Sequence, residues 1–229
     1  MDFINSIPQA FAYIGGHPDE FKGFLSTHLQ YTFWSVAIAF AFAFPLGMLA
    51  SRSRFASVLS LNAGGVLRAV PSVAILFVLY PYLGLANPDS VLGWPPSPVL
   101  TALVVLAFLP ILTNTNVGFR QVDPAVREAA YGMGMTTLQV LRRIELPLAA
   151  PIVIAGLRTA TVDVIATATV APFIGGGGLG FYIYQGLSLG VSGATVLIVG
   201  VVSVALLALS AEVTLGFGEL ITRRASGQA

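Results

Sequence analysis

The sequence predicts an all-α integral membrane protein, and three observations carry that expectation. Hydrophobic residues make up 56% of the 229-residue chain and charged residues only 9%, against about 45–50% and about 25% in an ordinary soluble domain. Several apolar stretches reach the length of about 20 residues that a membrane helix needs. The basic residues cluster between those stretches instead of within them.

Taken in order, the first span is the uncharged run from Tyr31 to Ser51, bounded by Gln30 and Arg52. The second apolar stretch runs from about Phe55 to Leu85 and contains Arg68 and Pro71. Proline removes a backbone donor and kinks a helix, so this reads as one bent span, or as two short ones. The segment from Asn87 to Pro98 is rich in proline and asparagine and reads as a loop at a membrane face. A third span is expected from about Pro98 to Gly118 and a fourth from Pro147 to about Pro172. A glycine-rich loop follows at 174–180, and the last span covers roughly Val191 to Phe217. The count is five spans, or six if the second stretch divides.

Cytoplasmic loops collect Lys and Arg. Five spans put Arg52, Arg54, Arg120, Arg127, Arg142, Arg143, Arg223 and Arg224 on one side and Lys22 on the other. The expected topology is therefore N-terminus outside and C-terminus inside, in a single domain over 1–229 whose core runs from about 25 to 220.

Several function classes are excluded or unsupported. There is no cysteine, so thiol catalysis and thiolate metal sites are absent. The net charge of +1 offers nucleic acid no basic field. His17 and His28 lack metal-ligand spacing and are expected at the outer membrane interface. A phosphate-binding loop of the Walker A type requires a lysine after glycine, but the single lysine, Lys22, lies between Phe21 and Gly23. No cofactor is expected, and neither paired carboxylates nor a nucleophile constellation suggests a membrane enzyme.

The polar stretch 123–147 reads DPAVREAAYGMGMTTLQVLRRIELP. Asp123 suits an N-cap and Pro124 the first helical position. Gly132 and Gly134 break the helix. Thr136 and Gln139 have capping-box spacing for a restart. Arg142 and Arg143 are expected to close that second helix, with Pro147 opening the next. The result is either a firm helix–bend–helix knob or an amphipathic linker lying on the membrane.

The spacing of Glu128, Ala129, Ala130, Gly134, Ile144, Leu146 and Pro147 resembles the EAA loop of the permease subunits of bacterial ABC importers. Residues 68–85 and 168–187 are also similar to osmoprotectant permeases. The five-span core is similar to methionine permeases. The resemblance implies that the 123–147 loop docks on a separate ATPase subunit. It also implies two such ATPases, a second permease subunit that is identical or a sister chain, and an external substrate-binding protein. The expected location is the bacterial cell membrane. The implied function is ATP-driven import of an osmoprotectant such as glycine betaine, carnitine or choline, with methionine or another small amino acid as the alternative. A channel or secondary transporter that works without ATP is the alternative from another class.

Within the membrane, Arg68, Pro71, Thr159, Asp163 and Thr167 are candidates for the translocation path, because buried charge is costly there and usually faces protein or water. Thr159 and Thr167 lie four residues to either side of Asp163, forming a polar stripe that is either a path wall or a hydrogen-bond network. Arg158 is expected at the cytoplasmic edge of its span. Phe173, Tyr182 and Tyr184, flanking Gly175, Gly176, Gly177 and Gly178, are either an interfacial aromatic belt or an outer gate offering cation–π contact to a quaternary ammonium.

Overall fold

A computed structural model of the chain describes residues 3–69, 74, 77, 78 and 97–227. These residues form helices without strands. The helices are α1 (Phe3–Gly16), α2 (Pro18–Ser51), α3 (Arg54–Ala69), α4 (Ser97–Arg120), α5 (Pro124–Gly132), α6 (Thr137–Ala168), α7 (Gly180–Ser188) and α8 (Ala194–Ala225). Among the described residues, α2, α4, α6 and α8 are long and apolar enough to cross a membrane. The second expected span lies partly outside the described residues: α3 covers its first half, and Pro71 falls beyond it.

The run from Tyr31 to Ser51 is only the apolar part of a longer helix. α2 has 34 residues, about 50 Å at 1.5 Å per residue, against a hydrocarbon core of about 30 Å. Its first turns are polar: Pro18 occupies the first helical turn, and Asp19 and Glu20 place negative charge where the helix dipole favours it. Pro45, Pro110 and Pro151 lie inside α2, α4 and α6 without ending them, as neighbouring helices in a membrane bundle permit.

α4 is the centre of the bundle, with α2 on one side and α6 on the other, and α8 packs on the far side of α6. The seam is built from Tyr31, Ala39 and Ala43 of α2, Leu103, Ala107 and Ile111 of α4, and Ala160, Val164 and Ala168 of α6. Alanine and glycine let helix backbones approach closely, which is how helices associate where lipid offers no hydrophobic drive. A Cβ on Gly156 would lie 2.6 Å from the Cβ of Asn114. Buried Asn116 ties α3 to α4 by accepting from Ser57 Oγ at 3.1 Å and donating to Ser60 Oγ at 2.5 Å. A second core joins α1, α7 and α8 through Ala10, Leu179, Tyr182, Ile198 and Val199. Large apolar side chains such as Phe33, Phe42, Leu209 and Phe217 remain exposed on α2 and α8, as expected of helices facing lipid or another subunit.

Candidate functional site

The 123–147 loop is held by its own hydrogen bonds. The Asp123 carboxylate accepts from the Ala125 N–H at 2.8 Å, and Pro124 follows at the first helical position. α5 then ends in a left-handed residue, Gly134, at φ +79°. The Gly134 N–H donates to Tyr131 O at 2.9 Å and the Met135 N–H to Ala130 O at 3.2 Å. This pair of bonds is the Schellman helix end, in which glycine is favoured at the left-handed position. The next helix begins with a complete capping box: the Thr136 N–H donates to Gln139 Oε1 at 2.8 Å, and the Gln139 N–H donates to Thr136 Oγ1 at 3.4 Å.

Arg142 and Arg143 do not close a helix, and Pro147 does not open one. α6 runs unbroken from Thr137 to Ala168, with a five-residue π turn at Leu141–Glu145 where the Leu146 N–H reaches Leu141 O. An ordinary α turn would press the Pro147 ring against the carbonyl four residues earlier; the wider turn relieves this. Glu128, Ala129, Gly134, Leu146 and Pro147 are exposed, Ile144 is half-buried, and Ala130 is buried. Val126, Tyr131, Met133 and Leu138 are exposed around them. The loop thus presents apolar side chains beside the Glu128 carboxylate, with Arg142 and Arg143 also exposed.

This end of the bundle also holds an ion cluster that the loop pattern does not mark. Glu145 is 1% exposed. Arg52, at the C-terminus of α2, donates to both its carboxylate oxygens, with Nη1 at 2.9 Å from Oε1. Arg127 Nε lies 2.8 Å from Oε1, and Arg127 Nη2 donates to Phe119 O at 2.5 Å, in the last turn of α4.

The path candidates separate. Thr159 and Asp163 are exposed on α6, in line with half-buried Ala155 and exposed Ala166, whereas Thr167 is buried in the bundle. The three do not share one open face. Arg68 lies on α3, and Pro71 lies outside the described residues. Arg158 lies inside α6. It sits thirteen residues beyond Glu145, about 20 Å along the axis. There its Nη1 is 3.0 Å from Glu219 Oε2 and its Nε 3.4 Å from Glu212 Oε1, both on α8. Arg223 in turn lies 2.8 Å from Glu219 Oε1. Charge within the span is balanced by partners on the neighbouring helix, which sequence spacing within one helix does not reveal.

The glycine-loop aromatics divide as well. Tyr182 is 1% exposed, packed edge-on to Phe24 with ring centroids 5.2 Å apart. Phe173 and Tyr184 are 45% and 41% exposed and meet edge to face at 5.2 Å. Gly175 and Gly178 are left-handed, at φ +81° and +101°. Gly176 and Gly177 between them are partly covered, and a Cβ on Gly177 would lie 3.2 Å from Thr27. His28 is not interfacial: it is fully buried, with Nε2 3.2 Å from Ile165 O, and forms the floor under Gly178. α2 begins ten residues before His28 and carries it into the core.

Residues 43–225 match the family described as binding-protein-dependent transport system inner membrane component. The chain is 38% identical over 189 residues to the carnitine transport permease protein OpuCB of Listeria monocytogenes, covering 82% of each chain. It is 38% identical over 162 residues to the choline transport system permease protein OpuBB of Bacillus subtilis (strain 168), covering 71% of this chain and 70% of that one. It is 35% identical over 191 residues to the osmoprotectant import permease protein OsmW of Salmonella typhimurium, covering 82% and 86%. Among solved structures, the inward-facing MetNI methionine ABC transporter shares the fold, with TM-score 0.72 at 20% identity, over 89% of this chain and 96% of that one.

Proposed function

The chain belongs to the family of binding-protein-dependent transport system inner membrane components, and on that premise we propose that it is the permease subunit of an ATP-driven osmoprotectant importer. Its substrates are small quaternary ammonium compounds such as glycine betaine, carnitine or choline. The observation that carries this reading is the 38% identity sustained over 189 residues with a carnitine permease. The methionine alternative draws only on a structural likeness at 20% identity, which bears on fold alone.

In this reading the chain is one membrane domain over 1–229, in a bacterial plasma membrane, with five spans, its N-terminus outside and its C-terminus inside. One of two ATPase subunits docks on the 123–147 loop, whose contact segment is marked by Glu128, Ala129, Gly134, Ile144, Leu146 and Pro147 with buried Ala130 supporting it from inside, and the ATPases alone hydrolyse ATP. A second permease subunit covers the exposed face of α6, and an external binding protein delivers the substrate. Thr159 and Asp163 line the path on that face, and Asp163 offers a negative charge to the quaternary ammonium group of the substrate. Phe173 and Tyr184 offer open ring faces at the outer loop, where cation–π attraction suits a quaternary ammonium. Because α6 is continuous from Thr137 to Ala168, motion imposed on the loop reaches Thr159 and Asp163 without an intervening hinge.

Growth at high salt tests the substrate class. Deleting the chain should remove rescue by betaine, carnitine or choline, and restoring it should return rescue. If uptake of all three persists in its absence while methionine uptake falls, the osmoprotectant reading is wrong.

A further inference from the structure

We infer that Glu145 is a positioning residue for energy coupling: it locks the loop helix α5 to the ends of α2, α4 and α6, so that they move as one body. The inference rests on the permease reading. It starts from the position of Glu145, which occupies the variable place between Ile144 and Leu146 in the loop pattern and is 1% exposed. Arg52 approaches it from the C-terminus of α2, 93 residues away in sequence, and holds both carboxylate oxygens. Arg127 approaches it from α5, with Nε 2.8 Å away. The same guanidinium donates to Phe119 O at 2.5 Å, a C-terminal carbonyl of α4 that has no acceptor role inside its own helix and is favoured by a cation. Four elements therefore meet at one ion cluster, α4 joining it through Arg127.

Buried ion clusters add little net stability over apolar packing of the same volume, but their geometry is narrow. Two arginines on one acid leave the cluster with excess positive charge, so Glu145 is the member that neither arginine can replace. Arg127 immediately precedes Glu128, the acidic residue proposed to touch the ATPase. A push on Glu128 is thereby delivered to Glu145, at the foot of the helix that carries Thr159 and Asp163, and to Arg52 at the foot of α2. Without the lock, α5 can yield while the spans stay still.

The test uses the complete transporter in liposomes: this chain with its second permease, ATPase subunits and binding protein, and carnitine as the probe. The readout is carnitine moved per ATP hydrolysed. Glu145→Gln keeps the side-chain volume and removes the charge. It should assemble and hydrolyse ATP, but move about ten-fold less carnitine per ATP, a size within the usual span of coupling free energies. An unchanged ratio, even with both rates lowered together, would mean that Glu145 serves the fold alone and would overturn the inference. If Glu145→Gln fails to accumulate, Arg52→Gln decides, since it leaves Glu145 paired with Arg127: a lowered ratio supports the lock and an unchanged ratio removes it. A native complex that moves none of carnitine, glycine betaine and choline would instead overturn the substrate reading on which the inference rests.

Discussion

Gly134 shows how a single residue of the loop is constrained. Its backbone is left-handed at φ +79°, and apart from its two chain neighbours nothing among the described residues lies within 4 Å of where its Cβ would be. The requirement is thus for backbone conformation, not for space within this chain. Gly134→Ala adds little bulk but strains the turn by about 1 kcal/mol, while asparagine adopts this conformation more readily. Gly134→Ala should therefore lose more transport than Gly134→Asn; the opposite order would mean that the docked ATPase leaves no room for a side chain. Glu128 is exposed on α5, so Glu128→Lys should reach the membrane at the native level. Reversing the charge at a docked contact can cost several kcal/mol. Transport and co-purification of the ATPase should both be lost, and full retention of both would remove Glu128 from the contact.

At the scale of elements, the pairing of α6 with α8 depends on charge between the two helices. Arg158 faces Glu212 and Glu219, and Glu219 also faces Arg223, so the four charges cancel. Arg158→Leu leaves Glu219, 10% exposed, short of a partner and should destabilise the chain by about 3 kcal/mol, at the low end for breaking a buried pair because Arg158 is itself one-third exposed. The double change Arg158→Leu with Glu219→Leu restores neutrality and should recover most of that loss. Thermal unfolding in detergent measures both. A double variant no more stable than the single one would show that the cluster is not an energetic unit.

For the whole molecule, orientation is testable because the chain has no cysteine of its own. A cysteine at Gln139, in the loop, should react only from the cytoplasmic side, and one at exposed Ser192, between α7 and α8, only from outside. The reverse pattern would invert the topology. What the sequence determined by itself was whatever depends on chain neighbours. The Asp123 cap, the Gly134 turn and the Thr136–Gln139 box each join residues no more than five apart, so their spacing is sufficient to read them. The apolar runs of α4 and α8 were legible because each span must satisfy its own backbone in lipid. The whole of α1 was not, because nothing in its composition separates a helix from a loop until packing against α8 and Tyr182 decides, and the first turns of α2, although Pro18, Asp19 and Glu20 suit a helix start, carry no apolar run to mark them as part of the span. The unbroken course of α6 was hidden for a related reason: proline and two arginines read as a boundary, and only a π turn reconciles them with one helix. Tertiary structure alone decided which polar residues meet. Tyr182 and Tyr184 lie two residues apart on a nine-residue helix, yet one is in the core and the other open. Arg52 finds Glu145 across 93 residues, because a buried carboxylate takes as partner whatever cation the packed helices bring to it, and that choice has no local signature.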